Sequence, residues 1–245
     1  VMAVLGPYNF PAHLPNGHIV PALIAGNVVI FKPSEKTPAT AEMLLGCFHR
    51  AGISAAVVQL LIGGPQEGQD LVAHPGVDGV LFTGSARVGI AINRKLATNP
   101  GKIVALEMGG NNPIVVTDTP KVSDAAVLII QSAFTSAGQR CTAARRLIVV
   151  DSMYDTLMAE VKALAGRIIY GEPFADPAPF MGPVIDNDAA DQMVESFLYL
   201  LSHGGKAIRH MTRPDDSLPF LSPAIIDVTA ITERPDVELF GPLLQ

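Results

Sequence analysis

Two short segments of this chain carry residue types that do chemistry together. Ala137-Gly138-Gln139-Arg140-Cys141 ends in one of the two cysteines of the sequence, and Leu106-Glu107-Met108-Gly109-Gly110 places a carboxylate 34 residues upstream of that thiol. The interval fits one strand and one helix, so both groups are expected in one site at the same end of a sheet. A thiolate attacks a carbonyl carbon, and a carboxylate held nearby activates the water that later releases the acyl group. The plain alternative for Cys141 is a buried small hydrophobe, the reading assigned to Cys47 within its amphipathic helix. The preceding glycine, the neighbouring Arg140 and Arg145, and a helix expected to start after the loop argue instead for an activated thiolate. Glu107 ends the apolar run Ile103-Val104-Ala105-Leu106, where a carboxylate needs a partner or a purpose.

Three further groups could serve such a site. Gly84-Ser85-Ala86-Arg87-Val88-Gly89 lies between an expected strand and helix, where backbone N–H groups and the helix dipole favour a phosphate. It lacks the G-x-G-x-x-G spacing of the usual dinucleotide fingerprint, so glycines serving only the turn are the alternative. Lys32-Pro33-Ser34-Glu35 follows another strand, and carboxyl ends of parallel strands converge on one ligand crevice. Lys32 and Glu35 then bind ribose hydroxyls, or else they are ordinary loop charges. Asn9, in Pro7-Tyr8-Asn9-Phe10-Pro11, either donates its amide to an oxyanion or bonds its own backbone in a turn.

The elements that must position these residues read as alternating β and α units around a buried parallel sheet. Strands are expected at the N-terminal Val1-Met2-Ala3-Val4-Leu5, at 28–31, 56–61, 79–82 and 102–107. Thr37 caps a helix running to about Gly52, with Pro38 at its first position. A glycine turn at Gly63-Gly64 leads into a short helix over 67–73, and Val88, Ile92 and Leu96 mark the buried face of another. A second lobe begins after Gly109-Gly110-Asn111-Asn112-Pro113: a strand at 114–117, a helix over 124–136, the cysteine segment, a strand at 147–150, and a helix capped by Asp151-Ser152 through Leu164. Residues 170–188 read as loop and 192–201 as helix, followed by strands and loops. The expected division is 1–112 and 113–245.

Composition narrows the function classes. Hydrophobic residues make up 49% and charged residues 16%, which suits an extensively buried α/β protein and excludes a disordered one. A net charge of −6 and no basic run longer than Arg145-Arg146 leave no footprint for nucleic acid or an anionic membrane. No apolar run approaches membrane-spanning length. Two cysteines in unlike contexts make a disulfide framework improbable and a reducing, cytoplasmic setting the natural expectation. The six histidines are scattered without metal-ligand spacing, so no metal site is expected. The chain starts without Met and ends at Phe240-Gly241-Pro242-Leu243-Leu244-Gln245, which suggests a piece of a longer protein.

GPYNFP around Asn9, KPSE at 32–35, FTGS at 82–85 followed by Gly89, LEMGG at 106–110, GQRC at 138–141 and ELFGP at 238–242 occur in one order. Together they closely resemble the aldehyde dehydrogenase superfamily over nearly the whole chain. The tyrosine of YNFP, the run His13-Leu14-Pro15-Asn16-Gly17-His18 and EMGGNNP at 107–113 narrow the likeness to a bacterial branch that acts on a succinylated semialdehyde from arginine. The resemblance implies an NAD-binding lobe with a Rossmann-like parallel sheet and a second α/β catalytic lobe, both truncated here. It implies that Cys141 attacks the aldehyde, that the Asn9 amide and the Cys141 N–H hold the oxyanion, that hydride passes to NAD, and that Glu107 deprotonates the hydrolytic water. Lys32 and Glu35 correspond to adenosine-ribose contacts, Ser85 to a pyrophosphate contact, and Glu238 and Phe240 to residues that position the nicotinamide ribose and ring. Ser34, Gly64, Gly84 and Gly89 complete the implied cofactor set. Glu35 would repel a 2′-phosphate, so NAD is expected over NADP. Relatives are longer, with terminal segments that complete the crevice and a homo-oligomer interface. Arg140 and His13 are candidate ligands for the substrate's carboxylates. Two other classes stay open: a cysteine hydrolase or acyltransferase without nucleotide, for which no histidine lies in a motif beside the thiol, and a non-catalytic nucleotide-binding module.

Overall fold

The computed structural model describes residues 1–233 and 235–245. It divides into two compact units, Val1–Gly109 and Gly110–Gln245, each described by itself.

In the first unit a five-stranded parallel sheet is built from β1 (Met2–Leu5), β2 (Val29–Lys32), β3 (Val58–Leu60), β4 (Gly79–Thr83) and β5 (Ile103–Glu107), in the order β3-β2-β1-β4-β5. The helices α1 (His13–Ile24), α2 (Pro38–Arg50), α3 (Pro65–Ala73) and α4 (Ala86–Leu96) make the connections. The strands are apolar on both faces because helices cover both. Met2 and Val4 of β1 pack into a core with Ile19, Ala41 and Leu45 from α1 and α2. Ala3 and Leu5 point the other way, into a core with Leu71, Ile92 and Leu96 from α3 and α4. The chain moves from β1 out to β3 and then returns to the other side of β1, so the winding reverses between β1 and β4.

The second unit holds a parallel pair, β6 (Asn112–Val116) with β7 (Ala144–Val149), and a three-stranded sheet β10-β9-β8 made of β8 (Lys206–Arg209), β9 (Ala224–Asp227) and β10 (Leu243–Leu244). Beyond β10, Gln245 exchanges backbone hydrogen bonds with Arg145 and Leu147 of β7. One core gathers apolar residues of α5 (Val122–Phe134), α6 (Asp151–Gly166) and α7 (Asn187–Ser202) with Ile225, Ile226, Leu243 and Leu244. Among the described residues no helix is long and apolar enough to cross a membrane.

Several local expectations need correction. The segment 13–24 is a helix despite Pro15, Gly17 and Pro21. Pro15 falls in the first turn, where N–H groups have no intrahelical acceptor, and Pro15, Ile19 and Ala22 form the buried face at i, i+4, i+7. On α4 the buried face is Gly89, Ile92 and Leu96, with Val88 37% exposed. Thr37 occupies the N-cap position of α2 without a side-chain cap bond, and Asp151 is the first residue of α6, after an uncapped Val150. α7 starts at Asn187 because the Asp186 carboxylate accepts from the Ala189 N–H at 2.9 Å, ahead of the expected start at 192. Cys47 is exposed on α2, where the Arg50 guanidinium donates to its sulfur at 3.3 Å. No helix follows Cys141: the chain turns and enters β7, so the thiol gains no helix dipole.

Candidate active site

In the first unit the predicted site residues collect at one edge of the sheet, the carboxyl ends of its strands. Leu5 is in register with Lys32 on one side and with Phe82 on the other, and Thr83 is in register with Glu107. Asn9 therefore follows β1, Lys32 ends β2 ahead of Ser34 and Glu35, Gly64 follows β3, Gly84 and Ser85 follow β4, and Glu107 ends β5. Ligands of doubly wound sheets bind at this edge, where the winding reverses.

Each of these side chains has a local reason for its place. Lys32 is 6% exposed, and its Nζ donates to the Pro33 carbonyl at 2.9 Å. Burial pushes its pKa down, against the opposing pull of Glu35 and Glu67. Ser34 folds the turn that follows, its hydroxyl accepting from the Lys36 N–H at 3.3 Å, and leaves Glu35 exposed. Gly64 precedes α3 and donates its N–H to the Glu67 carboxylate at 2.7 Å; the hydrogen bond from Glu67's own backbone, followed by that from Gly64, holds Glu67 below the usual carboxylate range. Ser85 caps α4, accepting from the Val88 N–H at 3.4 Å. The Gly84 N–H is engaged by the Glu107 carbonyl at 3.0 Å, and Gly89 is required by packing, since a Cβ there would run into the Met108 sulfur.

Glu107 itself is exposed at the end of the edge strand β5, so solvent satisfies the carboxylate that the apolar run seemed to isolate. Near it stands a residue that sequence reasoning did not single out. His18 on α1 has its Nε2 3.1 Å from the Thr83 hydroxyl, and Thr83 is the register partner of Glu107. Burial pushes the His18 pKa down, while the Glu107 charge pushes it up.

In the second unit Cys141 is half-buried at the end of an unusual turn. Three successive residues, Ser136, Ala137 and Gly138, adopt left-handed φ values of 57°, 53° and 69°. For residues other than glycine that conformation is strained by roughly 1–2 kcal/mol each, so tertiary contacts must hold it. Gln139 supplies one, its side-chain oxygen accepting from the Ile185 N–H at 2.9 Å. Asn112 supplies another: its amide nitrogen donates to the Cys141 carbonyl at 2.6 Å and to that of Ala143 at 3.1 Å. Arg145, fully buried, donates to the carbonyls of Gly138 at 3.0 Å and Arg140 at 2.9 Å. The same guanidinium pairs with Glu238 at 3.2 Å and lies 5.0 Å from the Phe240 ring centre. Arg145 thus links the loop that ends at Cys141 to Glu238 and Phe240 within this unit. Arg140, one candidate substrate ligand, is half-buried beside the thiol, and His13, the other, is exposed on α1 of the first unit. Among the described residues no cluster of three or more His, Cys, Asp or Glu side chains is arranged to hold a metal ion.

Compared with known protein families, residues 1–245 match "Aldehyde dehydrogenase family". The chain belongs to the aldehyde dehydrogenase family. Within it, the sequence is 78% identical over 245 residues to the N-succinylglutamate 5-semialdehyde dehydrogenase of Novosphingobium aromaticivorans, covering 100% of this chain and 52% of that protein. It is 67% identical over 244 residues to the protein of the same name in Sphingopyxis alaskensis, covering 100% and 51%. The aldehyde dehydrogenase fold is also shared with the crystal structure of an indole-3-acetaldehyde dehydrogenase in complex with NAD+, at a TM-score of 0.91 and 30% identity, covering 99% of this chain and 50% of that one. The chain spans about half the length of the curated relatives it matches.

Proposed function

We propose that the protein oxidises N-succinylglutamate 5-semialdehyde to N-succinylglutamate with NAD, Cys141 being the nucleophile, Glu107 the base and Asn9 an oxyanion donor. The observation that carries this reading is Cys141, a half-buried thiol on a loop whose carbonyls are fixed by Asn112 and Arg145. A side chain so placed loses little freedom on reaching a near-attack position.

The cysteine sulfur bonds to the aldehyde carbon, and the carbonyl electrons move onto oxygen, where the Asn9 amide and the Cys141 N–H stabilise the negative charge. Loss of hydride from that carbon leaves a thioester on Cys141. Glu107 removes a proton from water as its oxygen attacks the thioester carbon; the C–S bond breaks, the thiolate returns and the acid leaves. A solvent-exposed carboxylate at the end of β5 has the access to water that this step needs.

When bound, NAD supplies the hydride acceptor. The polar groups of the first unit fit that cofactor: a buried ammonium that donates and an exposed carboxylate that accepts, Lys32 and Glu35, suit a ribose diol. The capped N-terminus of α4 at Ser85 suits a pyrophosphate. Ser34, Gly64 and Gly84 follow the same strand ends, Gly89 lies in the first turns of α4, and Glu238 and Phe240 are assigned the nicotinamide ribose and ring. An NAD-binding role for residues 1–112, a catalytic role for 113–245 and a homo-oligomeric whole protein belong to the same proposal.

The test is absorbance at 340 nm with N-succinylglutamate 5-semialdehyde and NAD. NADH is expected only with both present, and not with Cys141→Ala. Absence of NADH with the parent protein, or its persistence in Cys141→Ala, overturns the reading.

A further inference from the structure

Arg145 is an unusual residue to bury. Its side chain is 1% exposed, yet it is a permanent cation whose desolvation must be compensated by hydrogen bonds and charge. An apolar side chain would fill the same space without that cost. The side-chain partners described above lie in two segments, the loop that ends at Cys141 and the stretch from Glu238 to Phe240.

The planar fork of the guanidinium matters here. Nη1 reaches the Gly138 carbonyl, while Nη2 serves both the Arg140 carbonyl and Glu238 Oε1. The Arg140 carbonyl belongs to the peptide group whose N–H is that of Cys141. A displacement of Glu238 is therefore passed through one rigid group to the peptide that bears the nucleophile, and the reverse is also true. A lysine in this position offers a single nitrogen and cannot span the carbonyls and the carboxylate together.

We infer that Arg145 is a positioning residue that couples the Cys141 loop to the Glu238 carboxylate, so that cofactor binding at Glu238 and thiol presentation at Cys141 depend on each other. The inference rests on the reading of Cys141 as nucleophile and Glu238 as a ribose ligand. It adds a residue that touches neither substrate nor cofactor.

The experiment mutates one side and reads the other, in the full chain. Arg145→Lys and Glu238→Gln are compared with the parent for NAD dissociation constant by equilibrium dialysis. Carboxamidomethylation of Cys141 by iodoacetamide is followed without nucleotide by mass spectrometry of its peptide, which keeps the exposed Cys47 out of the signal. Arg145→Lys is expected to weaken NAD binding, and Glu238→Gln to change the Cys141 alkylation rate, each on the order of fivefold, as for energetic coupling between contacting residues. A merely structural arginine lowers the Tm of Arg145→Lys and leaves both quantities within about twofold, which overturns the proposal. If Arg145→Lys does not fold, Glu238→Gln decides alone, because it keeps the guanidinium in place. If the parent binds no NAD, the cofactor reading fails, and the alkylation rates still decide the coupling: unchanged rates in the folded variants overturn it.

Discussion

Gly138 and Gly241 meet backbone to backbone: the space that a Cβ would need at Gly138 is taken by the Gly241 carbonyl oxygen. The φ of Gly138 is also left-handed, at 69°, so both the contact and the conformation require glycine. Gly138→Ala is expected to destabilise the second unit by more than about 2 kcal/mol, since neither backbone has room to retreat. Urea denaturation checks this; an unchanged midpoint would show that the two loops separate easily.

Tyr154 on α6 donates its hydroxyl to Asp227 at 2.8 Å, at the end of β9. Burial, followed by the bond to Asp227 and that group's charge, pushes the Tyr154 pKa up from 10.0 to about 12. A raised value in the folded state means that the unfolded chain releases its proton first, so stability falls as pH rises from 10 towards 12. Below pH 10 the contribution is fully present. Tyr154→Phe is expected to flatten that alkaline decline in the urea midpoint. A decline of equal steepness in both proteins would remove Tyr154 as its source.

Much of the first unit was legible in the sequence because buried parallel strands are nearly continuous apolar runs, and the residue after each run announces the end where ligands collect. Lys32, Ser85 and Glu107 were placed correctly on that basis. The helix at His13–Ile24 drew no expectation from the sequence, since it is apolar nearly all round and only Pro15, Ile19 and Ala22 of it are buried. The second unit was less legible. Nothing in a string of residues indicates that Ser136 and Ala137 adopt left-handed conformations, since contacts far along the chain impose them. The partners of Arg145 lie as far away as Glu238, and such pairings follow from topology and not from spacing.

His18 carries the acid-side prediction. Its pKa is lowered chiefly by burial, so the folded state resists the proton that the unfolded chain accepts near pH 6.5. The unfolded state then binds more protons, and stability falls as pH drops through 6.5. His18→Gln keeps a donor for Thr83 and is expected to reduce the loss of Tm between about pH 7.5 and about pH 5.5. Identical acid profiles in the two proteins would exclude His18 as a contributor.

Glu35 is exposed beside the Lys32 ammonium. A carboxylate there repels a 2′-phosphate, so NAD is favoured by like-charge exclusion as much as by attraction. Glu35→Gln is expected to raise kcat/KM for NADP on the order of tenfold and to lower that for NAD, which loses a charged acceptor for its ribose diol. Comparison of both cofactors in the parent and the variant checks it, and an unchanged NADP value would move the discrimination elsewhere.

Asn112 is the residue whose loss isolates the role of loop rigidity from that of charge. Its amide nitrogen serves the carbonyls of Cys141 and Ala143 at 2.6 and 3.1 Å, and β6 holds its backbone in the ladder with Ala144. Asn112→Ala leaves two carbonyls without that donor, at a cost of about 1–3 kcal/mol, and frees the peptide beyond the thiol. Asn112→Asp does more, because it turns a donor into a charged acceptor facing two carbonyl oxygens. The expected order of Cys141 alkylation rates is therefore parent, Asn112→Ala, Asn112→Asp, either rising or falling throughout, with Tm decreasing in the same order. An alkylation rate in Asn112→Asp equal to that of the parent would mean that the amide secures the fold of the loop and does not set the presentation of its sulfur.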